Sequence, residues 1–223
     1  MLKRLDILGN PNLGVFILAT ENIAIVPFNL PDDKTNQIKE ILEVDIIRTS
    51  LSGSNLIGSL SIANSNGIVV SPHTFDKEIK LLEDNGLEVT KLQDKFSAVG
   101  NVVAVNDVGG IASPFINNEA IHDIEEALDI DIKTNSIAGK EIVGSLITVT
   151  NDGFLMDKNA SSEELDFASD VFGVEGNVGT VSRGMSFVGS CTIANSKGAI
   201  VPENSTGPEM IRIEEALGFL EAF

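Results

Sequence analysis

Five copies of one sequence pattern follow one another along the chain, and this repetition constrains the fold more than any other feature. Each copy opens on one or two apolar residues and a glycine, and successive glycines lie 42 to 45 residues apart. The five glycines are Gly14, Gly58, Gly100, Gly144 and Gly189. A period of this length is typical of a protein built from repeated supersecondary units, each burying its apolar face against its neighbours.

The pattern inside one copy predicts two short strands, a helix and a third strand. Two apolar runs flank a turn rich in Asn, Asp, Ser and Gly, and in four copies a proline closes the second run. Such runs are typical of buried strands joined by a tight turn, and the proline ends the second strand because it has no N–H to donate. Apolar residues at helical spacing follow, as at Ile121, Ile124 and Leu128. Third strands are predicted near residues 44–47, 87–92, 130–132 and 174–178.

Helix boundaries are also visible in the sequence. Ser161 with Glu164, and Thr206 with Glu209, have the spacing of a capping box, in which the two side chains satisfy backbone N–H groups at a helix start. The helices are predicted to end at equivalent apolar residues, namely Leu42, Leu87, Leu128, Phe172 and Leu217.

The two ends of the chain are predicted to complete one repeat between them. The fifth copy stops at Phe223, before a third strand, while residues 2–7 have the character of a spare strand. Pairing them would close a monomeric ring and remove the free sheet edges that invite aggregation. We therefore expect a single α/β domain over residues 1–223, with pseudo-symmetric repeats, strands lining the axis and helices outside. The repeats would span about 12–55, 56–97, 98–141, 142–186 and 187–223, with 1–8 completing the last.

Composition argues against several classes of function. Lys and Arg number 15 and Asp and Glu 33, so the net charge is −18, and the chain has neither Trp nor Tyr. A broad phosphate-neutralising surface is therefore not expected, nor is free nucleic-acid binding. The start MLKRLDILGN has no apolar run of signal-peptide length, no stretch approaches a membrane span, and Cys191 is the only cysteine. These features predict a cytoplasmic protein without membrane contact.

The residues that carry reactive chemistry are few and scattered. His73, His122 and Cys191 show no metal-ligand spacing and no phosphate-binding loop is present, so neither a metal nor a cofactor is expected. A five-fold ring of strands and helices resembles the pentein fold (an alpha-beta propeller), whose best-known enzymes modify guanidine groups with Cys, His and paired carboxylates. Cys191 stands at a position that is apolar in the other copies, and His122 falls on the outward side of a predicted helix. We predict that the chain is not an enzyme; the alternatives are a guanidine-modifying enzyme and a ring scaffold for another protein partner.

Two strings make the resemblance narrower. AVGNVVAVND at 98–107 and GTVSRG at 179–184, with the five glycine-led copies, resemble the archaeal translation initiation factor 6 family over essentially residues 1–223. The resemblance implies a ribosome anti-association factor that binds the large ribosomal subunit on its intersubunit face and prevents association with the small subunit. It also implies a role in large-subunit maturation, contacts mainly to ribosomal proteins near the sarcin–ricin loop, and no catalysis or cofactor.

The resemblance also indicates which residues would meet the ribosome. In the family, the docking face is one rim of the ring and includes the residue after each repeat glycine and nearby turns. The matching candidates are Asn101, Ser59, Asn64, Asn106, Ser145, Asn151, Arg183, Ser190 and Asn195. Asn101 ranks first because it lies in the closest string.

The asparagine and serine candidates also have a purely structural interpretation. Asn in a hairpin turn often serves the backbone geometry of the turn, and Ser after a glycine often caps one. Replacing Asn101 by Arg is expected to weaken subunit binding and to leave the thermal midpoint nearly unchanged. If the repeat glycines hold positive φ, a side chain added at Gly100 or Gly144 would impair folding.

Overall fold

The computed structural model describes residues 1–7 and 9–220. Leu8 and residues 221–223, which the sequence assigns to the last repeat, lie outside the described residues. Within the described part, fifteen strands form five three-stranded sheets that follow one another around an axis. In each sheet the middle strand pairs antiparallel with one neighbour and parallel with the other. The fold is the α/β pentein arrangement expected from the five copies.

The inner strands contact one another in turn around the axis. They are β2 (Leu18–Ala19), β5 (Ser61–Ala63), β8 (Val103–Val105), β11 (Ile147–Val149) and β14 (Ile193–Asn195). The middle strands are β3 (Ile23–Pro27), β6 (Ile68–Val70), β9 (Gly109–Ala112), β12 (Phe154–Asp157) and β15 (Gly198–Pro202). The outer strands are β4 (Asp45–Thr49), β7 (Val89–Lys91), β10 (Asp131–Thr134), β13 (Gly176–Gly179) and β1 (Leu2–Leu5).

The N-terminal strand completes the last sheet, as the sequence predicts. β1 pairs parallel with β15, with Leu2 opposite Ala199 and Leu5 opposite Pro202. The Met1 ammonium donates to the Lys197 carbonyl at 2.7 Å, and the Met1 carbonyl accepts from the Ala199 N–H at 2.9 Å. The first residue of the chain is therefore part of the hydrogen-bonded closure of the ring.

The repeat glycines lie in one-turn helices and not in strands. These helices are α1 (Leu13–Phe16), α3 (Ile57–Leu60), α5 (Val99–Val102), α7 (Val143–Leu146) and α9 (Val188–Cys191). Each contacts the next around the axis, and α9 contacts α1. A Cβ on Gly100 would overlap the carbonyl oxygen of Gly58, and the same relation links all five glycines in a cycle. Close approach of neighbouring backbones therefore requires glycine here, and none of the five glycines has a positive φ.

Five longer helices lie outside the sheets, close to their predicted positions. They are α2 (Asp32–Leu42), α4 (Asp76–Asp84), α6 (Asn118–Leu128), α8 (Ser162–Phe172) and α10 (Gly207–Ala216). The predicted ends at Leu42, Leu128 and Phe172 are confirmed. Helix α4 ends at Asp84 and not at Leu87, because Asn85 and then Gly86, whose φ is +87°, interrupt the helical path. Helix α10 ends one residue before Leu217.

The apolar core is shared between neighbouring repeats. Ala104 of β8, for example, belongs to the same buried cluster as Phe154 of β12 and Phe172 of α8. The rings of Phe154 and Phe172 pack at 5.6 Å between centroids. Burial of such side chains, at roughly 25 cal/mol per Å², binds each repeat to the next. In the described part of the chain, no helix has the length and apolarity that crossing a membrane requires.

Candidate functional site

The inner strands run between two ends of the ring that differ in character. We call the end formed by α1, α3, α5, α7 and α9 the glycine end. The opposite end, the turn end, consists of the turns 20–22, 64–67, 106–108, 150–153 and 195–197 that join inner to middle strands. The predicted site residues divide between these two ends, so the structure does not bring them into one cluster.

Three turn-end asparagines connect one repeat to the next. The side-chain amides of Asn64, Asn106 and Asn195 donate to the carbonyls of Leu128, Phe172 and Leu42 at 2.8, 3.0 and 2.9 Å. Each acceptor is the last residue of an outer helix in the following repeat. The asparagines are 5%, 5% and 1% exposed. Their amides therefore satisfy orphan carbonyls at helix ends, which favours the structural interpretation of these residues.

The fourth turn departs from this arrangement. Thr150, and not Asn151, occupies the position equivalent to Asn106, and Thr20 does so in the first repeat. Asn151 lies one residue further on, where its amide donates to Asp107 Oδ2 at 2.7 Å and its oxygen accepts from the Asp107 N–H at 3.0 Å. Asn151 therefore lies in the turn, as the sequence predicts, but one residue beyond the position of Asn64, Asn106 and Asn195.

At the glycine end, the four residues that follow the glycines differ in exposure. Ser59 and Ser145 are each 7% exposed, whereas Asn101 and Ser190 are half-buried. All four lie within the one-turn helices. Within the described residues, the side chain of Asn101 has no hydrogen-bond partner. Asn101 is therefore the asparagine candidate whose amide is not already used by the fold.

Arg183 lies in a strained loop that precedes α9 at the glycine end. Ser182, Arg183 and Gly184 have φ values of 51°, 63° and 97°. The N–H groups of Arg183 and Gly184 form a concave anion-binding nest, while that of Ser182 donates to Ser205 Oγ at 3.2 Å. The Glu209 carboxylate of α10 fills it, accepting from Arg183 and Gly184 at 3.1 and 2.8 Å. The Arg183 side chain is exposed.

A helix glutamate also holds a loop through its backbone N–H groups at two other places in the ring. The Glu78 carboxylate accepts from the N–H groups of Ser52 and Gly53, and the Glu164 carboxylate from that of Ala138. Each glutamate is the third residue of its helix, and each loop contains a non-glycine residue with positive φ. The capping-box spacing identified two of these glutamates at the sequence level but gave no sign that they also hold a loop.

Hydrogen bonding dominates the electrostatics of these carboxylates. Burial disfavours ionisation of Glu209, but the donors on Thr206, Gly184 and Thr180 outweigh it and lower its pKa to about 2. The balance of burial and hydrogen bonds likewise lowers the pKa of Glu78. Asp157 is fully buried, and the Lys140 ammonium 2.6 Å away offsets that burial and lowers the pKa of Asp157.

Cys191 does not have the environment of a nucleophile. It is fully buried in α9, and burial raises the pKa of its thiol to about 11. The thiol is therefore protonated near neutral pH, and the thiolate is the reactive form. His122 is exposed on α6. Among residues 1–7 and 9–220, no three His, Cys, Asp or Glu side chains are grouped as metal ligands would be.

A narrow cavity follows the axis of the ring. Its volume is about 120 Å³, and the five repeat glycines line it together with inner-strand residues such as Ser61 and Thr148 and with Thr192, which directly precedes β14. Pockets for drug-sized ligands typically measure roughly 300–1,000 Å³, so this cavity suits a few water molecules at ~30 Å³ each better than an organic substrate.

Comparison with known proteins finds similarity along almost the whole chain. A model of the eIF-6 family matches residues 2–216. The chain belongs to the eIF-6 family. Translation initiation factor 6 of Methanobrevibacter smithii is 60% identical over 221 residues, which cover 99% of each chain. Within the same family, the factor of Pyrococcus horikoshii is 38% identical over 225 residues, covering 98% of this chain and 99% of that protein.

A third archaeal relative shows similarity of the same extent. Translation initiation factor 6 of Methanocaldococcus jannaschii is 38% identical over 227 residues, covering 99% of each chain. Membership of the eIF-6 family, with relatives of this name aligned from end to end, supports a role in translation.

Proposed function

We propose that this chain binds the large ribosomal subunit on the face that meets the small subunit and thereby prevents the two from joining. The observation that carries the proposal is the 60% identity to a translation initiation factor 6 over 99% of both chains. We further propose that it acts in maturation of the large subunit, as a cytoplasmic monomer in which residues 1–223 form one domain. Its partners would be ribosomal proteins near the sarcin–ricin loop, and no reaction or cofactor forms part of the proposal.

We assign docking to the glycine end. Asn101, Ser190 and Arg183 are the predicted site residues there whose side chains are not buried. Ser59 and Ser145 would contribute mainly through the backbone of their helices. Asn64, Asn106, Asn151 and Asn195 lie at the turn end, where their amides serve contacts within the ring, so we propose a structural role for them.

Sedimentation through a sucrose gradient tests this function. The purified chain would be mixed with separated archaeal ribosomal subunits at a magnesium concentration at which they normally join. We expect it to migrate with the large subunit alone and to reduce the amount of joined ribosomes. If it stays at the top of the gradient while the subunits join freely, the proposed function fails. Capture of a different protein from the same cells would then favour a ring scaffold.

A further inference from the structure

Exposed apolar side chains are concentrated at the glycine end. They belong to residues just before the one-turn helices or just after the middle strands: Phe28, Leu56, Phe75, Phe115, Ile142 and Phe187. Their exposed fractions are 65%, 40%, 51%, 59%, 38% and 36%. Every repeat contributes at least one of these residues, so they surround the axis. We call these six residues the apolar rim.

The turn end has fewer exposed apolar side chains than the apolar rim, and they come from two of the five repeats. Among the residues that the structure describes there, three large apolar side chains are exposed: Met1, Val108 and Leu220, at 61%, 58% and 46%. Single exposed apolar residues are normal on any protein, whereas six of them around one end need an explanation. Burial within the ring does not explain the exposed part of these side chains, because apolar area that stays in contact with water contributes nothing to stability.

Charge is also distributed unequally along the axis. All five outer helices run from the glycine end to the turn end, so their partial negative charges meet at the turn end. Acidic residues nevertheless crowd the last turns and the residues beyond them: Glu40, Glu43, Glu83, Asp84, Glu125, Glu126, Asp129, Asp170, Glu214 and Glu215. In the described helices of this set, α2 alone has a basic residue in its last turn, Lys39. This placement opposes the helix dipoles and makes the turn end repel phosphate.

The glycine end has charges of both signs and no dominant field. Carboxylates lie in the first turns of the outer helices, at Asp32, Asp33, Asp76, Glu119 and Glu163. Exposed cations lie beside them, at Lys77, Lys95, Lys158 and Arg183. Docking on RNA phosphates would require an excess of cations, which this face lacks. A face of mixed charge that carries exposed aromatic and aliphatic side chains instead resembles a protein–protein interface, in which such side chains are the anchor residues.

We propose that the apolar rim anchors the glycine end to a protein surface of the large subunit, inserting into apolar pockets on that surface. This inference rests on the proposed function and deepens it, because it names the anchoring residues and the apolar character of the contact. Two double variants divide the rim: Phe28→Ser with Phe115→Ser, and Leu56→Ser with Phe187→Ser. The matched controls are Val108→Ser at the turn end and Ile211→Ser on α10, both more than half exposed in the protein.

Affinity for purified large subunits is the measurement, at a series of salt concentrations. We expect each double variant to bind roughly tenfold more weakly or worse, with both controls unchanged and with unaltered thermal midpoints. For the unmodified chain we expect affinity to change by less than about tenfold between 50 and 200 mM salt. A protein that contacts several phosphates would lose roughly 10³-fold or more over that range.

Several outcomes would overturn the inference. Equal affinity of both double variants and the unmodified chain would remove the rim from the interface, and a steep salt dependence would assign the contact to RNA. A concentration-dependent dimer of the free chain that the variants abolish would assign the rim to a second copy. Failure of the unmodified chain to bind subunits at all would instead reject the proposed function and, with it, this inference.

Discussion

The two ends of the ring are built from equivalent positions in five repeats, yet they use their polar groups differently. At the turn end, the amides of Asn64, Asn106 and Asn195 are consumed by carbonyls of the next repeat. At the glycine end, neighbouring repeats are joined by bare backbone, since the glycines let the one-turn helices touch, and by three helix glutamates that hold loops of the preceding repeat. Within the described residues, the side chain of Asn101 takes part in neither contact.

This difference shows why repeat position alone does not identify a functional residue. A polar residue that recurs in every repeat is as well explained by the joint between repeats as by binding. The distinguishing feature is whether its polar atoms are already satisfied within the fold. By that criterion Asn106 is used by the fold, whereas the amide of Asn101, only five residues earlier, is unused within the described residues.

The largest expected loss of stability comes from adding a side chain where the backbones of neighbouring one-turn helices touch. In Gly100→Ala, the new methyl group would overlap the Gly58 carbonyl oxygen, which belongs to a packed backbone that cannot move aside. We expect a loss of more than about 4 kcal/mol of unfolding free energy, or no folded protein. Urea unfolding followed by circular dichroism measures it. Gly207→Ala, where a Cβ would meet nothing within 4 Å, is the control and should be nearly neutral.

The stability that Glu209 contributes by holding the loop at Arg183 and Gly184 should depend on pH. The folded pKa of Glu209, about 2, lies below its unfolded value, so its stabilising effect is complete above roughly pH 4.5 and is lost as the pH falls towards 2. Glu209→Gln should therefore cost about 2–3 kcal/mol at pH 7, and less as the pH falls below 4. Urea unfolding at pH 7 and pH 3 measures both values. The exposed Glu203→Gln is the control, and a Glu209→Gln deficit independent of pH would contradict the assignment.

Sequence periodicity was sufficient for the architecture because each repeat carries the same strand, turn and helix signals. The closure of the ring by a strand within residues 2–7 followed from counting strands, and β1 (Leu2–Leu5) confirms it. The sequence pattern did not predict features that depend on contact between repeats. The residues around Gly58 do not show that a one-turn helix begins there and not a strand. The glycine is required by its contact with the Gly14 carbonyl, which belongs to another repeat.

The candidate site was harder to predict for the same reason. Asn64 and Asn106 carry ordinary turn signals, and only the outer helix of the following repeat shows that their amides are used. The loop-holding role of Glu209 depends on Ser182 and Arg183, whose positive φ values no propensity predicts. The sequence therefore named candidate residues but did not show which of their polar groups the fold already uses.

A smaller loss of stability is expected at the turn end. Asn195→Thr introduces the residue found at the equivalent positions Thr20 and Thr150, but removes the hydrogen bonds to the Leu42 and Thr20 carbonyls. We expect a loss of about 1–3 kcal/mol, because two buried carbonyls lose their partner. Chemical denaturation measures it, with the exposed Asn204→Thr as control. Affinity for the large subunit should not change; a large fall in affinity at unchanged stability would instead place docking at the turn end.

The smallest effect on stability, and the sharpest on binding, is expected for Asn101→Arg. Asn101 is half-buried and its amide is unused within the described residues. The free energy of unfolding should therefore change by less than about 0.5 kcal/mol, and the thermal midpoint should stay nearly the same. A bulky cation at the docking face should nevertheless weaken subunit binding roughly tenfold or more, since it both clashes and must be desolvated. Asn22→Arg is the matched control, because it makes the same charge change at an exposed position of the turn end. If the two variants bind equally well, the glycine end is not the docking face; if Asn101→Arg unfolds instead, Asn101 belongs to the joint between repeats after all.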